Sequence, residues 1–160
     1  MTRAKGVMHE IAVRATKDPS GAYHFQPESD LSDGAGDEFH FHKDRHGMKS
    51  HDYHLVEFVL HDHTGDDLQF PPVPHDAMWV AEAGTPGDWK CPDVNTASDY
   101  SVMEPICVTG DRKRLIVRND NPREEDWAFT LNFVKRGEKD GDRHHYVNWD
   151  PVGSNHNGGA

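Results

Sequence analysis

Residues 127–134 alternate without a break, with Trp127, Phe129, Leu131 and Phe133 on one side and Ala128, Thr130, Asn132 and Val134 on the other. A two-residue period is that of an extended strand, whose successive side chains point to opposite faces. The aromatic face must be buried, and each large side chain contributes roughly 1.5–3 kcal/mol on leaving water. A chain built around such a segment needs a second apolar layer to cover it.

The same signal recurs elsewhere in weaker form. His9, Ile11 and Val13 share one face of residues 7–15, and Phe39 and Phe41 share one face of residues 38–42. Over residues 53–61, Val56, Phe58 and Leu60 alternate with Leu55, Glu57, Val59 and His61. Residues 77–82 read as a short strand, and residues 102–109 and 114–118, parted by Gly110-Asp111, read as a hairpin. A polar turn at 137–142 leads into a returning strand over 144–149, while Pro71, Pro72 and Pro74 forbid ladder pairing where they stand. Sustained helical periodicity is absent. The expected architecture is an all-β, antiparallel β-sandwich of the immunoglobulin-like type with about eight or nine strands. A jelly roll or small barrel is the alternative. One domain is expected over residues 1–152, followed by a flexible Gly- and Asn-rich tail over 153–160.

Glu104-Pro105 on one strand, the aromatic strand 127–133, and Asp150-Pro151 followed by Asn155 carry a likeness to known proteins. In the order of its strands and in these pieces the chain resembles small bacterial immunoglobulin-like sandwich proteins of unknown function, the DP-EP family. The resemblance implies a sandwich fold and brings no activity, cofactor or partner with it. The histidine-rich stretch lies outside it.

Charge narrows the partners. With 28 acidic residues against 17 basic ones the formal net charge is −11, which repels phosphate backbones and anionic membranes, so neither nucleic acid nor membrane is expected. No apolar run approaches the ~20 residues of a membrane span, and residues 1–6 lack the apolar stretch of a secretion signal. Cys91 and Cys107 are too few for a disulfide framework. The expectation is a cytoplasmic protein with free thiols.

Thirteen histidines remain to be explained, eight of them between His40 and His75. His40 and His42 form one His-x-His pair and His61 and His63 another, a spacing that puts both rings on one face of a strand. Imidazole is a good ligand for Zn, Ni or Cu. Since Phe39 and Phe41 claim the core, His40 and His42 point outward, as does His61, whereas His54 faces inward. If residues 38–42 and 53–61 form a hairpin, His61 lies about eight residues beyond His42, about 26 Å away at ~3.3 Å per residue. The two pairs then cannot share a metal. The candidate metal site is therefore His40, His42, His46 and His51, with Asp44 or Asp52 nearby. The competing reading is that these rings are solvated surface groups. A third is pH sensing, since protonating all 13 histidines would take the charge from −11 to +2.

Other constellations are thin. Asp62, Asp66 and Asp67, and likewise Asp140 and Asp142, read as solvated turn carboxylates because neither stretch has the spacing of a calcium loop. Trp89 beside Lys90, with Trp79 nearby, is a candidate contact platform, whereas Trp127 and Trp149 belong to the core. No phosphate loop, nucleophile elbow or dinucleotide fingerprint is present. The first functional expectation is a non-enzymatic β-sandwich that binds another protein or itself, through a sheet edge or the 83–100 loop. The second is a His-rich transition-metal-binding protein or metalloenzyme.

Overall fold

The strand most legible in the sequence lies inside one of two sheets. The structure, a computed structural model, describes residues 3–31, 38–43, 47–49, 51–83, 91–122 and 124–156. Among these the elements are β1 (Gly6–Lys17), β2 (Tyr23–Glu28), β3 (Glu38–His42), β4 (Tyr53–Asp62), α1 (Pro74–Ala77), β5 (Met78–Glu82), β6 (Met103–Val108), β7 (Arg114–Asn119), β8 (Glu125–Phe133), β9 (Val147–Trp149) and β10 (Val152–His156), with a 3-10 turn at Arg143–His145. The first sheet has the order β2-β1-β4-β7-β6 and the second β3-β10-β8-β5, with β9 also paired to β8. Neither order closes on itself, so the all-β, sandwich-like expectation holds.

The sheets are mixed rather than antiparallel throughout. β1 runs parallel to β4, and β3 runs parallel to β10. The expected hairpin between residues 38–42 and 53–61 does not form, because β3 and β4 lie in different sheets. The reason is burial. Phe39 of β3 meets Phe58 of β4 edge-on at 6.4 Å, and both meet Phe129 of β8, at 6.4 and 6.0 Å. Two apolar strand faces placed opposite one another across the sandwich cover each other, which side-by-side pairing in one sheet would not achieve.

The 102–109/114–118 hairpin is present as β6 and β7, with a register shift between Pro105 and Cys107. Trp127 and Trp149 are core residues. β8 buries its second face as well. Thr130 Oγ1 lies 2.6 Å from the carbonyl oxygen of Pro92 and 2.8 Å from Asp150 Oδ1, and Asn132 Nδ2 donates to the carbonyl of Asp76 at 2.9 Å. Polar side chains on that face are thus buried with partners, as buried polar groups generally are. Trp79 is buried there against Val134 and Tyr146 instead of forming an open platform, and Trp89 and Lys90 lie outside the described residues.

The chain end also departs from expectation. Residues 152–156 form β10, an inner strand between β3 and β8, where a tail was expected from residue 153. Its composition is polar because its buried side chains are hydrogen-bonded: Ser154 Oγ donates to Asp126 Oδ1 at 2.7 Å, and Asn155 accepts from Asn119 Nδ2 at 2.7 Å. The part of the expected tail beyond 156 is outside the described residues. Cys91 and Cys107 are free thiols.

Candidate metal centre

The parallel pairing of β3 with β10 sets His40 opposite Ser154 and His42 opposite His156. Alternation then does the rest. Phe39 and Phe41 go to the core, and His40, His42, Ser154 and His156 share the other face. One nitrogen from each of His40, His42 and His156 lies within 4.8 Å of the other two. The rings are half-buried and near-parallel: His42 and His156 stack at 4.4 Å and 10°, His40 and His156 at 5.5 Å and 26°. His40 Nδ1 and His156 Nε2 are 3.2 Å apart.

These residues fit a transition metal. Bonds of ~2.0–2.1 Å in a tetrahedral site put neighbouring ligand nitrogens about 3.3–3.4 Å apart. The His40–His156 pair, at 3.2 Å, is already close to that separation. Ring lone pairs lie in the ring planes, so closing all three on one ion requires the stacked rings to rotate about their side-chain torsions. Among the described residues no oxygen ligand belongs to the group, and three imidazoles suit Zn, Cu or Ni better than the hard cations Ca or Mg. Glu38 Oε1 stands 3.6 Å from His40 Nε2, the ring nitrogen other than the one facing His156, a charged neighbour of the imidazole beyond hydrogen-bond distance.

Of the four histidines expected in the site, the structure brings together His40 and His42. His46 lies outside the described residues, as does Asp44. His51 does not join: its Nε2 is 3.7 Å from Asp52 Oδ1, on the loop that follows β3. Asp52 is occupied as well. It accepts the backbone N–H of Lys49 at 2.8 Å and of Lys5 at 2.9 Å, and these bonds hold its carboxyl below the usual carboxylate range. The member that sequence reasoning missed is His156, which follows β3 by more than a hundred residues in a segment without an apolar pattern. His61 and His63 lie elsewhere, beside Arg14 and Gln26, and do not contribute.

A buried polar cluster underlies the triad. His9 and His54 both face inward, as their parity predicts, with His9 Nε2 and His54 Nδ1 2.9 Å apart. His54 Nε2 lies 3.2 Å from Asn121 Nδ2. Lys43, next after His42, is turned inward, and burial pushes its ammonium below the ordinary lysine range, against the opposing pull of Asp120 and Asp52.

The acidic turns behave as turns. Asp62 accepts the backbone N–H groups of Thr64 and Leu68 at 3.0 and 2.9 Å, Asp66 pairs with Lys17 at 2.9 Å, and Asp140 pairs with Arg112 at 2.6 Å. Among the described residues no helix is long and apolar enough to cross a membrane. No protein-family model matches the chain, and no curated protein matches it.

Proposed function

We propose that this protein binds a divalent transition metal, Zn, Cu or Ni, through His40, His42 and His156. The observation that carries the reading is the convergence of three imidazoles from two strands, with ligand nitrogens within 4.8 Å of one another. The three imidazoles of the described residues supply three of the four ligands of a tetrahedral site. The test is calorimetric titration of tag-free, chelator-treated protein with each metal. The expected result is one ion per chain at micromolar affinity or better, lost in His156→Ala and in the His40→Ala, His42→Ala pair. Absence of stoichiometric binding, or binding that survives all three substitutions, overturns the reading.

A second reading, protein binding or self-association through a sheet edge, is supported by one feature. Val73 and Ile106 are exposed beside Pro105 along β6, which is an edge strand. A defined oligomer dispersed by Ile106→Asp, measured by light scattering, is its expected signature, and a monomer at all concentrations removes it. The immunoglobulin-like assignment and kinship with the DP-EP family belong to the proposal too. Their support is that Glu104-Pro105 lies on β6, Asp150-Pro151 leads into β10, and Asn155 is buried between the sheets.

A further inference from the structure

Three imidazoles on two strands share a metal only if the strands keep their register, and one buried side chain grips both from beneath. Asn121 follows β7 with φ of 43°, in the left-handed region that Asn tolerates better than most residues. Asn119 Oδ1 accepts its backbone N–H at 2.9 Å. So placed, Asn121 Nδ2 lies 3.1 Å from the carbonyl oxygen of Phe41, 3.0 Å from that of His156 and 3.2 Å from His54 Nε2. Phe41 stands between His40 and His42 in β3, and His156 is the triad's member from β10. The amide therefore donates to the backbone of both strands that carry the ligands.

The orientation of that amide is informative. Its two hydrogens face three neighbours, while Oδ1 is buried with no hydrogen-bond partner among the described residues. A buried oxygen left unpaired is a standing penalty. Turning the amide over would not relieve the site, because the oxygen would then face two carbonyl oxygens. The donors are held where they are by the two ligand strands.

We propose that Asn121 is the positioning residue of the three-imidazole centre, a donor clamp that presets the spacing of β3 and β10 so that a metal needs only rotation of the rings. The inference rests on the metal reading above. Asn121 acts through the backbone and touches no ligand nitrogen of the triad.

The decisive variant is Asn121→Asp, which keeps the size and the left-handed tolerance and replaces the donor by an acceptor. Asn121→Ala is its companion, and Leu115→Ala, which loosens the core at β7, is the control. Zn affinity by competition titration and the visible spectrum of the Co(II) form are measured on the full chain, together with the melting temperature. Both Asn121 variants are expected to bind Zn about 10-fold to 100-fold more weakly, with an altered Co(II) spectrum. Leu115→Ala is expected to melt earlier with affinity and spectrum unchanged. Binding by Asn121→Asp within about threefold of wild type, or an equal loss in Leu115→Ala, overturns the inference. Wild-type protein that binds no metal overturns the metal reading and this inference with it, a result distinct from wild-type binding that Asn121 does not affect. If neither Asn121 variant folds, NMR of the wild type decides: side-chain NH2 protons of Asn121 protected from solvent and shifted by Zn support the clamp, and freely exchanging ones overturn it.

Discussion

His9 and His54 stand side by side in the interior of two parallel strands, Nε2 to Nδ1 at 2.9 Å, so a single hydrogen lies between the two rings. On its other side His54 Nε2 lies 3.2 Å from Asn121 Nδ2, so the ring bridges His9 and the asparagine, each ring nitrogen donating or accepting according to its tautomer. A backbone clamp, a core histidine and a neighbouring strand are thereby joined in one chain of hydrogen bonds. Such fully buried networks are strongly coupled, and removing one member strands the others.

His54→Ala removes a buried ring and takes a hydrogen-bond partner from both Asn121 and His9. The expected loss is about 2–4 kcal/mol in urea unfolding, combining a cavity with unpaired polar groups. A loss below about 1 kcal/mol would show that the network relaxes around the gap.

Metal occupancy is expected to stabilise the fold, because the ligands come from two strands, β3 and β10. An ion present at about 100 times its dissociation constant adds about 2.7 kcal/mol and raises the melting temperature. The gain is reversed by chelator. It also fades as pH is lowered, because protons compete with the metal for imidazole lone pairs. Thermal melts with and without Zn at neutral and mildly acid pH check both statements, and an increment that persists in acid contradicts imidazole ligation.

Asp52 ties the start of β1 to the segment before β4, through the N–H groups of Lys49 and Lys5, which lower its carboxyl from the ordinary range. A carboxyl lowered on folding contributes stability above its unfolded value and loses it as pH falls through the folded value. Stability measured from about pH 5 to about pH 2 is therefore expected to fall less steeply in Asp52→Asn than in wild type. Identical slopes would remove Asp52 from the account of acid unfolding.

Thr130 is buried on the outer face of β8, its hydroxyl near both Pro92 and Asp150. Thr130→Val keeps the shape and deletes the hydroxyl, and is expected to cost about 1–3 kcal/mol by leaving a buried acceptor unpaired. Denaturant unfolding reads the change directly, and a neutral substitution would mean that this face is wetter than its burial implies.

Local alternation was enough to read β8, the β6–β7 hairpin, the inward turn of His54 and the outward turn of His40 and His42, because side-chain parity is a property of the strand itself. It could not say which strands meet. β3 and β4 looked like a hairpin and are in separate sheets, since their aromatic faces cover each other across the core. β10 carried no apolar signal, because Ser154 and Asn155 are buried by hydrogen bonding and not by hydrophobicity. The amino-acid sequence by itself determined an all-β chain with an outward His-x-His pair on β3. Only the tertiary structure decided that His156, 116 residues beyond His40, completes the group in place of His51, because strand pairing is set by the summed burial and hydrogen bonding of the whole sandwich, which no local pattern encodes.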